Sequence, residues 1–221
     1  MWEEPRPDII SLNPGGTNDP LGESVMDMTQ PWLRVFEPTD VRLVIGRHQN
    51  PERELLVSNA IADGIPMHRR ISGGGAVVLS PGMVVVAVRL KNNEVGTTCY
   101  LDRVNSALIP AVAAINSTQL MCRGHGDLVL TNPSGQTKKV LGASLRQTSK
   151  LVLYLGVFLV DDAVSKMERY LAAPSREPDY RNGRTHGDFC THLSSVSITT
   201  SELMHSIKDH AERILGPYSL S

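Results

Sequence analysis

Arg69-Arg70-Ile71-Ser72-Gly73-Gly74-Gly75-Ala76-Val77 is the stretch on which the fold turns. Met67 to Ile71 carries a strand pattern and so does Ala76 to Leu79, so three consecutive glycines fall between two strands. Such a loop leaves its backbone N–H groups uncovered and admits the φ values of a tight wrap, which suits anionic oxygens. Arg69 and Arg70 add charge and forked donors beside it. No Gly-Lys-Ser/Thr follows, so this is not a Walker A loop. A strand follows the glycines where a dinucleotide fingerprint needs a helix. A flexible hairpin bend with two solvated arginines is the competing reading.

Working outward, Ala76 to Leu79, a Pro81-Gly82 turn and Met83 to Leu90 read as a hairpin rich in β-branched residues. Upstream, Asn50 suits an N-cap, Pro51 a first helical turn, and Glu52 and Glu54 the positive end of a helix running to Gly64. Leu101, Val104, Leu108, Val112 and Ile115 share one face of a helix over Tyr100 to Ile115, which Pro110 is expected to kink or split. Leu128 to Leu130, Lys138 to Leu145 and Leu151 to Val160 read as strands, the first two joined by the turn Thr131-Asn132-Pro133-Ser134-Gly135. Asp161 to Leu171 reads as a short helix, Pro174 to His192 as irregular, and Leu203, Ile207, Ala211 and Ile214 mark a last helix. Residues 1–20 read as an extended lead-in. Strands grouped mid-chain with helices around them predict an α+β fold with a central, mostly antiparallel β-sheet and flanking helices. The 221 residues suit one catalytic domain over 1–221.

Composition narrows the function. With 22 basic and 23 acidic residues the net charge is -1, which lacks the clustered basic excess of a nucleic-acid binder. Three cysteines, Cys99, Cys122 and Cys190, have neither disulfide parity nor metal-ligand spacing, and point to a reducing compartment. The first ten residues hold no apolar signal core, and Leu151 to Val160 is too short to cross a bilayer. A cytoplasmic protein with no membrane or nucleic-acid partner is expected.

Lys139 is the second candidate for chemistry. On a regular strand it shares a face with Leu141, Ala143 and Leu145, so it would stand at the mouth of an apolar pocket and hold a carboxylate or phosphate. A surface lysine at a strand edge is the plainer alternative.

Four segments, in order, resemble the lipoate–protein ligase A family, part of the wider biotin and lipoate ligase catalytic domain. Gly46-Arg47-His48-Gln49-Asn50 is similar to that family's G-R-x-Q-N, and Arg69 to Val77 to its R-R-x-S/T-G-G-G-A-V. Gly126-Asp127-Leu128 with Lys139-Val140-Leu141-Gly142-Ala143-Ser144 is similar to its N-D-L and K-x-x-G-x-A/S motifs. Tyr180-Arg181 through Arg184 to Thr191-His192-Leu193 matches more weakly. The resemblance runs from about residue 25 to 195. It implies a two-step reaction: lipoate attacks the α-phosphate of ATP, and a lysine of a lipoyl-carrier protein, a lipoyl domain or an H-protein-like carrier, then displaces AMP.

By the same resemblance Lys139 contacts the acyl carbonyl and phosphate. Arg70 and the backbone of Gly73, Gly74 and Gly75 line the acyl and phosphate region, with Arg69 and Ser72 beside them. Asp127 lies near the adenylate or its Mg2+, Gly142 and Ala143 permit close approach of the ligand, and Ala76 and Val77 wall the acyl tunnel. Whether lipoate, octanoate or another acid is preferred stays open.

Three departures matter. Gly126 stands where the family has Asn, and Leu155-Gly156 where many members have His-Gly. The sequence also stops soon after the last helix, so a C-terminal accessory domain is expected to be absent here and supplied as a small separate subunit. Two other functions stay open. Cys122, near Arg123 and Lys139, would serve an octanoyl or lipoyl transferase that works through a thioester without ATP; a buried strand cysteine is the alternative. An inactive acyl-binding subunit is the other. Among His68, His125 and His186 no spacing gives a metal set, and only His125 neighbours a candidate site residue.

Overall fold

The computed structural model describes residues 9–11 by their backbone, 19–132 and 135–219. In chain order the elements are β1 (Ile9–Ser11), β2 (Leu33–Phe36), β3 (Arg42–Ile45), α1 (Pro51–Glu54), α2 (Val57–Ala62), β4 (Met67–Arg69), β5 (Val77–Leu79), β6 (Met83–Lys91) and α3 (Thr98–Asn116). β7 (Met121–Arg123), β8 (Asp127–Thr131), β9 (Thr137–Gln147), β10 (Leu151–Leu159), α4 (Val164–Tyr170), α5 (His186–Phe189) and α6 (Thr200–Leu215) follow. Most of the extended lead-in and two residues of the 131–135 turn lie outside the described residues.

Two sheets form. One has six antiparallel strands in the order β2-β6-β10-β9-β8-β7; the other has four in the order β1-β4-β3-β5, with β4 parallel to both neighbours. The six-stranded sheet is sandwiched, and the alternation of its central strands shows how. Val84, Val86, Val88 and Leu90 of β6, with Val152, Tyr154 and Phe158 of β10, pack under α3 and α6. Met83, Val85 and Ala87, with Leu153, Leu155, Val157 and Leu159, face the four-stranded sheet and α4. A strand covered on both faces reads as an unbroken apolar run, which is why residues 151–160 look as they do. Gly156 is part of that packing, because a Cβ there would lie 2.8 Å from the Tyr154 ring and hydroxyl. The expected α+β class with a mostly antiparallel central sheet is what forms. Among the described residues no helix is long and apolar enough to cross a membrane.

Three local expectations are corrected. Residues 76–90 are not a hairpin. β5 pairs with β3 and β6 with β2 and β10, so the Pro81-Gly82 turn carries the chain from one sheet to the other. The helix opened by Asn50, whose Oδ1 accepts from the Glu52 N–H at 3.0 Å, ends after one turn. Leu55 turns extended to bridge Leu171, and the Leu56 N–H donates to the Tyr170 carbonyl, so tertiary pairing overrides the local propensity before α2 begins. Pro110 does not split α3. It removes only the N–H that would bond the carbonyl of Ser106, an exposed residue that water can reach. The last helix starts where Thr199 and Glu202 form a reciprocal cap.

Candidate functional site

A cavity of about 230 Å³ opens between the two sheets, and the glycine loop and Lys139 both line it. Leu155, Val157 and Leu159 of β10, with Leu21, Met167 and Leu171, give it an apolar wall. Lys139, Arg176, Arg181 and His186 bring positive or titratable groups, and among the described residues Glu54 is the only carboxylate lining it.

The loop is held open by its own arginine. Arg70 is 6% exposed, and its guanidinium donates to the carbonyls of Gly73 (2.6 and 3.0 Å) and Gly75 (2.7 Å). With these carbonyls turned onto a buried cation, the loop curls around the arginine. Burial pulls the Arg70 guanidinium down to about 10, still far above neutrality. Gly74 sits at φ +91°, and a Cβ there would meet Arg70 at 2.8 Å, so only glycine fits. The first matched segment packs behind. A Cβ on Gly46 would lie 2.0 Å from the Gly74 carbonyl oxygen, and the Arg47 N–H donates to the Ser72 carbonyl at 2.9 Å.

Lys139 reaches the same cavity by a route that strand parity did not show. The pairing of β8 with β9 shifts between Leu128 and Val129, where Leu141 and Lys139 are the successive partners and Val140 is the extra residue. Val140 and Leu141 both turn into the core beneath α3. Lys139 therefore does not share a face with Leu141, Ala143 and Leu145. It folds over Gly142, where a Cβ would lie 2.9 Å from its Cε and Nζ. A bulge of this kind re-aims one side chain without ending the strand. The Lys139 ammonium pairs with Asp127 Oδ1 at 2.8 Å, and the Tyr180 hydroxyl donates to Asp127 Oδ2 at 2.7 Å. Burial, then the charge of Asp127, raises the Tyr180 phenol, so it remains a donor.

Tyr180 belongs to a strap, residues 172–190, that crosses the cavity. Ser175 donates to the Glu54 carboxylate, Arg184 to the Thr137 carbonyl at 3.0 Å and Lys138 to the Gly187 carbonyl at 3.2 Å. Phe189 sits between Arg181 and Arg184, whose guanidinium carbons lie 4.9 and 5.1 Å from its ring centre. Cys190 then bridges Lys139 through the backbone.

Of the candidates, Arg70, Gly74, Gly75, Ala76, Val77, Lys139, Gly142 and Ala143 line the cavity. Arg69, Ser72, Gly73 and Asp127 do not. Arg69 donates to the carbonyls of Gly46, Arg47 and Gln49, and the buried Ser72 hydroxyl meets that of Ser144 at 3.0 Å. These two build the loop's frame. Both Asp127 oxygens are engaged, one by Lys139 and the other by Tyr180. Among the described residues no three acidic, His or Cys side chains gather as a metal site.

Gly126, in place of the expected asparagine, has a packing reason: its φ is +85° and a Cβ would lie 2.7 Å from Leu101 Cδ2. Cys122 is exposed on the edge strand β7 and does not line the cavity. Cys190 does, but burial raises its thiol despite Lys139 and Arg181 nearby. His125 is exposed outside the cavity, while burial lowers the cavity's His186. Glu54 and Cys190 escaped the sequence reading as site residues, because each is a single residue with no spacing signal, and Tyr180 and Arg181 entered it only within the weakest matched segment.

The sequence matches the lipoyl protein ligase A/B catalytic domain over residues 21–212. A curated lipoate-protein ligase A of Blochmanniella pennsylvanica (strain BPEN) is 27% identical over 183 residues, 79% of this chain and 48% of that protein. The chain thus spans about half the length of that relative. Among solved structures, one is from an archaeal lipoylation system, a bi-partite lipoate protein ligase and its E2 lipoyl domain from Thermoplasma acidophilum. It superposes with a TM-score of 0.74 at 18% identity, covering 94% of this chain and 82% of that one. A lipoate-protein ligase A bound with ATP gives 0.71 at 19% identity, covering 96% and 86%. At such identities the structures speak for the fold.

Proposed function

Because the chain belongs to the lipoyl protein ligase A/B catalytic-domain family, we propose that it activates lipoate, or an acid of similar length, with ATP and passes the acyl group to a lysine of a lipoyl-carrier protein. The observation that carries this reading is the meeting of Lys139 and the glycine loop at one cavity with an apolar wall. The T. acidophilum neighbour's E2 lipoyl domain supports the carrier class, and the ATP-bound neighbour supports the nucleotide.

The chemistry asks for this arrangement. A carboxylate oxygen must attack the α-phosphorus while pyrophosphate leaves, which brings two anions together. Fixed donors and a cation at that point lower the barrier and cost no reorganisation. In this reading the hydrocarbon lies along Leu155 and Val157, and the loop backbone at Gly74 and Gly75 holds phosphate oxygens. Lys139 spans acyl carbonyl and phosphate, and Asp127, oriented by Tyr180, keeps the ammonium at the wall. In the second step the carrier's amine nitrogen attacks the acyl carbon, AMP departs and the amine loses its proton. Arg69 and Ser72 act on the loop rather than on the ligand.

The test is mass spectrometry of a lipoyl domain incubated with the protein, lipoate and Mg-ATP, with and without a candidate accessory subunit. A mass gain of one lipoyl group that needs ATP supports the proposal. Acyl transfer from an acyl carrier protein without ATP would replace it with the thioester reading. Binding of lipoate with no AMP release under either condition would leave an acyl-binding subunit.

A further inference from the structure

The peptide of Ile71, immediately before Ser72 and the glycines, is held from both sides by residues of other elements. Its N–H donates to Glu23 Oε1 at 2.8 Å, and its carbonyl accepts from Arg146 Nη1 at 3.0 Å. Glu23 lies on a one-turn 3-10 segment after Leu21, and Arg146 lies near the end of β9. The Glu23 corner is itself fixed. Asp19 accepts from the Glu23 and Ser24 N–H groups at 2.6 and 2.9 Å and pairs with Arg34 at 2.7 Å. Arg89 of β6 donates to the Val25 carbonyl at 2.7 Å.

We propose that Glu23 and Arg146 are positioning residues that grip the Ile71 peptide and set how the glycine loop seats in the cavity wall. That the loop then serves acid activation rests on the ligase reading; the grip itself does not. Glu23 is 1% exposed, and its second oxygen, Oε2, is buried without a hydrogen-bond partner among the described residues. A carboxyl so placed favours its neutral form.

The charged groups facing Glu23 are Asp19 on its own corner, Arg70 at the loop and Arg146 on β9, with Arg34 and Arg89 holding the corner's backbone and side chains. Burial pushes the Glu23 carboxyl from 4.5 up to about 7, Asp19 adding to the rise while the Ile71 N–H, Arg70 and Arg146 oppose it. Between these two values the seated loop holds a proton that an opened, hydrated Glu23 would release. The sign follows: raising the pH from 4.5 to 7 weakens the seating, which then stays level above 7. The loop is firmest with Glu23 protonated and loosest in its ionised state.

Hydrogen exchange of the full chain, read on peptides covering Ile71 to Gly75 and corrected for the intrinsic exchange rate, tests this without any activity. Protection in the wild type should fall as pH rises from 5 to 7, by up to about tenfold per pH unit, and level off above. Glu23→Gln, neutral and still able to accept from the Ile71 N–H, should hold the low-pH level at every pH. Arg146→Gln should carry the fall on to higher pH before it levels off, because a cation that opposed the rise is gone. Protection that is level in the wild type, or that falls identically in Glu23→Gln, overturns the proposal. If Glu23→Gln does not fold, the Arg146→Gln window decides alone. A protein inactive with lipoate, Mg-ATP and a lipoyl domain both with and without the accessory subunit, but showing this exchange pattern, would overturn the ligase reading and leave the grip standing.

Discussion

Replacing Gly142 by alanine should separate activity from stability more cleanly than any other single change in the site. The added methyl lies 2.9 Å from both Cε and Nζ of Lys139, closer than unbonded carbon or nitrogen can sit. Its φ is not in the left-handed region, so alanine strains nothing in the backbone. What must give is the tip of the lysine, a flexible side chain about one quarter exposed, at 26%. Moving it requires no repacking of the core, and the roughly 0.5 kcal/mol that alanine gains over glycine in a strand offsets part of the lost Lys139–Asp127 pair, so stability should fall by less than about 2 kcal/mol. The displaced ammonium loses its 2.8 Å contact with Asp127 and its place at the cavity wall. A misplacement of about 1 Å at a positioning group costs on the order of a hundredfold in rate. The assay is lipoate-dependent pyrophosphate release, run beside a thermal melt. A variant that keeps full activity, or that loses more than about 2 kcal/mol of stability, as core overpacking would, refutes the reasoning.

Other outcomes follow from the same geometry. Gly126→Asn, which restores the residue usual in the family, should destabilise the fold by about 1–3 kcal/mol in chemical denaturation, because its Cβ meets Leu101. Replacing Cys122 by serine should leave ATP-dependent acyl transfer within about twofold, and loss of transfer on that change would revive the thioester route. His68 is fully buried, neither ring nitrogen is bonded among the described residues, and burial lowers its pKa below the usual 6.5. The folded chain therefore binds fewer protons there than the unfolded one, and this contribution is intact above pH 6.5 and lost as the pH falls below it. Because Glu23 titrates with the opposite sign over the same range, melts from pH 8 to pH 5 should be compared in the Glu23→Gln background, where the decline should be smaller in His68→Leu.

Much of the site was legible because its physics is local. Three glycines between strand patterns announce a loop that can wrap an anion, but that Arg70 turns inward to hold the loop's own carbonyls does not show in the sequence. The position of Lys139 in an apolar strand pointed to the cavity, but for the wrong face. Period-two reading assumes regular pairing, and nothing in Lys139-Val140-Leu141 signals that Val140 is the bulged residue. The Pro81-Gly82 turn was legible as a turn. Which sheet each flanking strand joins depends on β3 and β10, far away in sequence, so the hairpin was not decided there. The shortened α1 has the same cause, since Leu55 answers to Leu171 rather than to its own neighbours. Glu23, Glu54 and Tyr180 are isolated residues whose meaning comes from what the folded chain brings against them.

A crystal structure with a non-hydrolysable lipoyl-adenylate analogue tests the central claim most directly. Lys139 Nζ should then stand within about 3 Å of both the acyl carbonyl and a phosphate oxygen, with the Gly74 and Gly75 backbone facing the phosphate and the chain along Leu155 and Val157. An analogue bound outside this cavity, or bound within it while Lys139 contacts only Asp127, would contradict the account.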